Sequence, residues 1–191
     1  MNITPKLVQD FWAFMHNKYG TTAKSKADAV EMKVISHILD VLKVTDKDAF
    51  LSHFVTTIGK TIYIPFTVGV PNDTWSLEGQ IHVCMHEHQH VIQSQDVGET
   101  MFALRYLLDS TWRATYEGEG YRCNMTLNFW DTGMPPDVEP YLKSITNYGL
   151  DAASLAFFEQ YMRMSVSSIA EGAIPDEATR VTIAWLKSHP A

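Results

Sequence analysis

A chain of 191 residues that is 46% hydrophobic and 19% charged has the composition of one globular domain with an ample core, which excludes a disordered or fibrous protein. A formal net charge of −7 excludes a nucleic-acid binder that works by neutralising phosphates. No run approaches the ~20 apolar residues of a membrane helix, so no membrane partner is expected.

In chain order, residues 5–19 predict an amphipathic helix, with Leu7, Val8, Phe11, Trp12, Phe14 and Met15 at helical spacing. Gln9, Asp10 and His16 interrupt the apolar character of this segment. It has neither the basic start nor the small-residue cleavage site of a secretory leader, and a cytoplasmic location is expected. Thr21 to Ser25 reads as a polar loop. A second helix is expected over 26–43, carried by Val30, Val34, Ile38, Leu39 and Leu42, and a short third helix over 46–53.

The texture changes at 54–66, which is rich in β-branched and aromatic residues with Gly59-Lys60 as a turn signal. A hairpin or two short strands are expected. Pro65 has no N–H for a ladder, so its strand should be an edge or end there. The strand at Thr61 to Ile64 is the candidate for contact with an extended peptide. Val70 to Asp73 is a turn cluster, followed by an N-cap at Thr74 or Ser76.

Helices are then expected over 76–95, 99–109, 110–130, 138–147, 151–171 and 175–188, with Thr132 to Pro136 as the clearest breaker and Leu155, Phe158, Met162 and Val166 as a core stripe. The fold class is α+β and mostly helical, with a small sheet before the segment richest in reactive side chains. Cys84 and Cys123 are too few for a disulfide framework and read as buried thiols.

That segment contains His86-Glu87-His88-Gln89-His90. Residues four apart on a helix differ by about 40° around the axis, so His86 and His90 project from one face, one turn apart. Two imidazole nitrogens so placed can reach one zinc ion at ~2.1 Å. Glu87 lies about 100° round from His86. There it is badly placed for a ligand and well placed to take a proton from a water that the metal activates.

The third ligand decides the subtype. A metzincin would need Gly at 93 and His at 96, where this chain has Gln93 and Asp96. Asp96 and Asp109 are available for an aspartate-type site, but neither sits in a supporting pattern. Glu117 and Glu119 are available for a glutamate-type site. They lie about 200° apart, so one helix cannot present both to a single ion. His82 shares the face of His86, but Val83 stands where a base would belong, so His82 is expected beside the ligands or facing solvent. His88 is rotated away from the ligand face and should be exposed or structural. Tyr106, Tyr116 and Tyr121 are candidates to stabilise an oxyanion, each with a core role as the simpler reading, and His53 is a further candidate donor. Neither a glycine-rich phosphate loop nor a Gly-x-Ser-x-Gly elbow is present.

On His86-Glu87-His88-Gln89-His90 and Tyr116-Glu117-Gly118-Glu119-Gly120-Tyr121, the chain resembles the gluzincin clan of zinc metallopeptidases. In CaaX-type and ImmA/IrrE-like members the ligand Glu is followed four residues on by Asp or Asn, often after a small residue. Here Gly120 keeps the small residue, and Tyr121 stands in place of the acid or amide. The resemblance implies Zn2+ held by His86, His90 and Glu117, Glu87 as general base, and a peptide or protein substrate. It also implies a zincin-like catalytic core over 54–131 of a single domain, with N-terminal helices over 1–53 and C-terminal helices over 132–191. A non-catalytic zinc-binding or regulatory protein on the same fold is the alternative, and the presence of Glu87 weighs against it.

Overall fold

The computed structural model describes residues 2–26, 29 and 55–190. The helix expected over 46–53 and His53 lie outside the described residues, as does nearly all of the helix expected over 26–43; Lys26 itself sits in a turn. The protein is α+β and mostly helical.

Helix α1 spans Pro5–Tyr19. Thr4 caps it by accepting a hydrogen bond from the Leu7 N–H at 3.2 Å, Pro5 opens it where no N–H is needed, and Gly20 ends it in the left-handed region. Its buried face is Val8, Phe11, Trp12 and Met15.

Three short strands follow: β1 (Thr22–Ser25), β2 (Thr56–Ile58) and β3 (Thr61–Ile64). The expected hairpin is β2–β3, turning at Gly59-Lys60 with Gly59 at φ 56°. Two expectations are corrected. The polar segment at 22–25 is a strand, pairing in parallel with β3 in the register Thr22 to Thr61. Its side chains are mostly exposed, so it lacks the alternation that marks a half-buried strand, and the backbone of β3 holds it in place. The sheet order is β1-β3-β2, so both edges of β3 are occupied and Thr61 to Ile64 has none to offer a peptide. Pro65 follows the last residue of β3, where its missing N–H does no harm.

The remaining helices are α2 (Leu77–Val97), α3 (Glu99–Leu108), α4 (Ser110–Thr132), α5 (Glu139–Ile145) with a 3-10 turn at Thr146–Tyr148, α6 (Ala152–Ala170) and α7 (Glu177–Ser188). Caps set these boundaries: Ser76 for α2, Asp109 for α4 and Asp151 for α6 each accept a backbone N–H, and Gly133 closes α4 in the left-handed region.

Two apolar clusters flank α4. One joins α1, β3, α2 and α7 through residues such as Trp12, Ile62, Met85 and Trp185, and α4 contributes Cys123 and Leu127 to it. The other joins α4, α5 and α6 through Met125, Ile145, Phe158 and Met162. The expected stripe on α6 is therefore core. Cys84 and Cys123 are free, buried thiols, and burial pushes both well above the ordinary thiol range. Phe158→Ala is expected to cost about 3–5 kcal/mol of stability, read by chemical denaturation. A loss below about 1 kcal/mol would show that the second cluster does not unfold with the first.

Candidate metal centre

Helix α2 is buried on nearly every side between Cys84 and Val91, because α1, α3, α4, α7 and β2 surround it. Its polar side chains must therefore find partners inside the protein. His86 and His90 face α4, with their Nε2 atoms 3.1 Å apart. Glu117 of α4 completes the group: Oε2 is 3.4 Å from His86 Nε2, and Oε1 is 3.4 Å from His90 Nε2. Ligands at ~2.05 Å on a tetrahedral zinc lie about 3.3 Å from one another, so these spacings match the edges of a zinc tetrahedron. Among the described residues this is the one group of three with that convergence, and all three are buried. The group can hold a metal ion.

The electrostatics agree. Glu117 is 2% exposed, and its Oε2 has no hydrogen bond of acceptable geometry among the described residues, while Oε1 accepts from the Tyr106 hydroxyl at 2.6 Å. Burial opposes the Glu117 carboxylate, but the His90 and His86 rings outweigh it and hold this carboxyl well below the usual range. Burial likewise opposes the His90 imidazolium, and Glu117 overcomes it, raising the ring to about 9. Without a metal, the His90 imidazolium and the Glu117 carboxylate compensate each other, and a divalent cation held by all three side chains would take the place of that proton.

Glu119 is not in this group. Its Oε2 accepts from Gln93 Nε2 at 2.7 Å and from Gln89 Nε2 at 3.5 Å. Gln93 also donates to the Tyr116 carbonyl at 3.1 Å, and its amide oxygen lies 2.8 Å from His90 Nδ1. The two glycines have different neighbours. A Cβ on Gly120 would stand 2.5 Å from His86 Cε1, whereas one on Gly118 would meet the Tyr161 ring of α6 at 2.9 Å. Gly120 is thus what lets α4 lie against the His86 ring.

Glu87 accepts a 2.7 Å hydrogen bond from the Thr57 hydroxyl of β2. With His86, His90 and Glu117 it lines a cavity of about 410 Å³, walled by β2 on one side and by Phe102, Ala103 and Tyr106 of α3 on another. Arg113 also lines this cavity, but its guanidinium is committed to the carbonyls of Tyr106, Leu107, Tyr148 and Gly149 at 2.6–3.2 Å. Close by, fully buried Lys26 donates to Thr56 Oγ1 at 2.8 Å; burial pulls its pKa down to about 7, against the pull of the Glu87 charge.

The remaining candidates separate cleanly. Tyr106 reaches Glu117 and lines the cavity. Tyr116 is buried against Phe102, ring centroids 4.6 Å apart, with its hydroxyl unpartnered among the described residues. Tyr121 sets its ring edge-on to His86, centroids 5.1 Å apart, and bonds Ser144 and Tyr148 through its hydroxyl. Neither Tyr116 nor Tyr121 lines the cavity, but Tyr148 does. His82 stands beside Glu78 at 4.0 Å, outside the cluster. His88 is buried and structural: its Nδ1 donates to the Cys84 carbonyl at 2.7 Å, its Nε2 meets Thr21 Oγ1 at 2.9 Å, and burial lowers it to about 4. Asp96 is exposed, and Asp109 caps α4.

Thr57, Lys26, Gln93 and Tyr148 escaped the sequence reading. Only Gln93 left a usable signal, since it stands three residues after His90 on the same helix face. No helix among the described residues is long and apolar enough to cross a membrane. No protein-family model, curated protein or solved structure matches the chain.

Proposed function

We propose that the protein is a zinc-dependent hydrolase, most simply a metallopeptidase. The observation that carries this reading is the convergence of His86, His90 and Glu117, at the spacings of a zinc tetrahedron, on the wall of a cavity that Glu87 also lines. Two imidazoles and one carboxylate facing an open cavity are the ligand set of catalytic rather than structural zinc. A peptide substrate is what the resemblance to gluzincins implies.

Bound zinc would contribute Lewis-acid polarisation of a carbonyl and a water whose pKa falls to about 7. The chain's own groups do the rest. Glu87 takes the proton of the attacking water and passes it to the leaving amine. Thr57 holds the Glu87 carboxylate in one orientation through its 2.7 Å hydrogen bond. Tyr106 braces Glu117 through its 2.6 Å hydrogen bond.

The test is elemental analysis of purified wild type beside His90→Ala and Glu117→Ala, followed by a mixed-peptide digest with and without a chelator. About one zinc per wild-type chain, little in either variant, and chelator-sensitive cleavage are expected. A folded wild type that neither carries nor takes up zinc would overturn the reading. A zinc-loaded chain that cleaves nothing would leave a non-catalytic zinc protein.

A further inference from the structure

We propose that Gln93 and Glu119 are positioning residues for the metal centre, with Glu119 acting through Gln93 to fix the tautomer and ring plane of His90. This rests on the metal-site reading above. Both polar ends of Gln93 are committed. Its amide nitrogen donates to Glu119 Oε2 at 2.7 Å and to the Tyr116 carbonyl at 3.1 Å. Turning the amide over would set its oxygen against those same two acceptors, so the orientation is forced. The amide oxygen therefore faces His90 Nδ1 at 2.8 Å. An amide oxygen cannot donate, so Nδ1 is the donor to Gln93 and keeps its proton, which leaves Nε2, 3.4 Å from Glu117 Oε1 and 3.1 Å from His86 Nε2, as the atom that would bind a metal in place of a proton.

Glu119 supplies the charge at the outer end. A carboxylate that accepts from the amide N–H polarises the amide and strengthens its oxygen as an acceptor, which makes the far side of the imidazole a better donor to a cation. Gln93 is 5% exposed, so this chain of hydrogen bonds is little screened by water. It also gives both acids of the Glu117-Gly118-Glu119 run a task. Glu117 offers its oxygens to the ion, and Glu119 orders one of the rings.

The experiment is a zinc titration against a chromophoric chelator, using the full chain as wild type, Gln93→Leu, Glu119→Gln and the double variant. Gln93→Leu is expected to weaken zinc binding roughly 10–100-fold and Glu119→Gln roughly 3–10-fold. The double variant should bind no more weakly than Gln93→Leu alone, because Glu119 has no route to His90 without Gln93. In the zinc-loaded wild type, a slowly exchanging His90 Nδ1 proton should appear by NMR, and it should be lost in Gln93→Leu. Glu119→Gln is nearly isosteric, so it serves as the test should Gln93→Leu fail to fold. Unchanged zinc affinity in folded variants, additive losses in the double variant, or an absent Nδ1 proton would overturn the relay while leaving the metal site standing. A wild type that takes up no zinc would overturn the metal site, and the relay with it.

Discussion

Glu87→Gln is expected to retain the full zinc complement while lowering kcat about 10²–10⁴-fold, the usual contribution of a placed acid–base group. The change keeps shape and length, and the Thr57 hydroxyl, 2.7 Å from Oε2, can donate to an amide oxygen as it does to a carboxylate. The side chain therefore stays where it is; what it loses is the capacity to hold a proton. Glu87 does not belong to the convergent group, so metal content should not follow activity. Measuring kcat, zinc content and melting temperature on one preparation separates the outcomes. Wild-type turnover would remove Glu87 from the chemistry. Loss of zinc together with turnover would make Glu87 a structural element of the site.

The parts of the fold legible in the sequence are those with local causes. The start of helix α2 is legible because Ser76 can cap it, and the end of α4 because Gly133 lies in the Thr132 to Pro136 breaker; the Asp109 cap of α4 shows only in the structure. The hairpin of β2 and β3 followed from β-branched residues around Gly59-Lys60. What escaped depends on which surfaces meet. Strand β1 is polar and pairs in parallel with a strand far along the chain, so no turn links the two and no alternation reveals the pairing. Strand order is likewise non-local: Pro65 allows an edge strand or one that ends there, and only the pairing with both neighbours shows that β3 is central and ends at Ile64. Rotation about the axis placed His88 off the ligand face, but only the packing of α1 and Thr21 makes that opposite face interior. Glu117 and Glu119 were both open from helical geometry. Their roles became distinct once α4 lay against α2 and Gln93 engaged the second of them.

Gly120→Ala is expected to lower zinc affinity by about 100-fold or more, the upper end for a displaced metal ligand environment, with a much smaller effect on the stability of the metal-free chain. Two terms oppose each other in that stability. Alanine is the better helix former by about 1 kcal/mol, and the backbone at 120 is ordinary helix, so the main chain gains. Against this stands overpacking, typically about 1–3 kcal/mol, because the new Cβ would sit 2.5 Å from His86 Cε1, 2.7 Å from Nε2 and 2.8 Å from Nδ1. The ring is flanked by Tyr121 and His90, with centroids 5.1 and 4.8 Å away, so it has little room to yield sideways. Either the ring turns or α4 backs away from α2, and both movements take His86 Nε2 off the point where it meets His90 and Glu117. Gly118→Ala is the control. Its Cβ meets the Tyr161 ring at 2.9 Å, a contact with α6 and not with the metal ligands. It should lower the melting temperature while leaving zinc affinity within a few-fold of wild type. Equal zinc affinity in Gly120→Ala and wild type would mean that the close approach of α4 does not set the position of His86, and the three-ligand geometry would have to be redrawn.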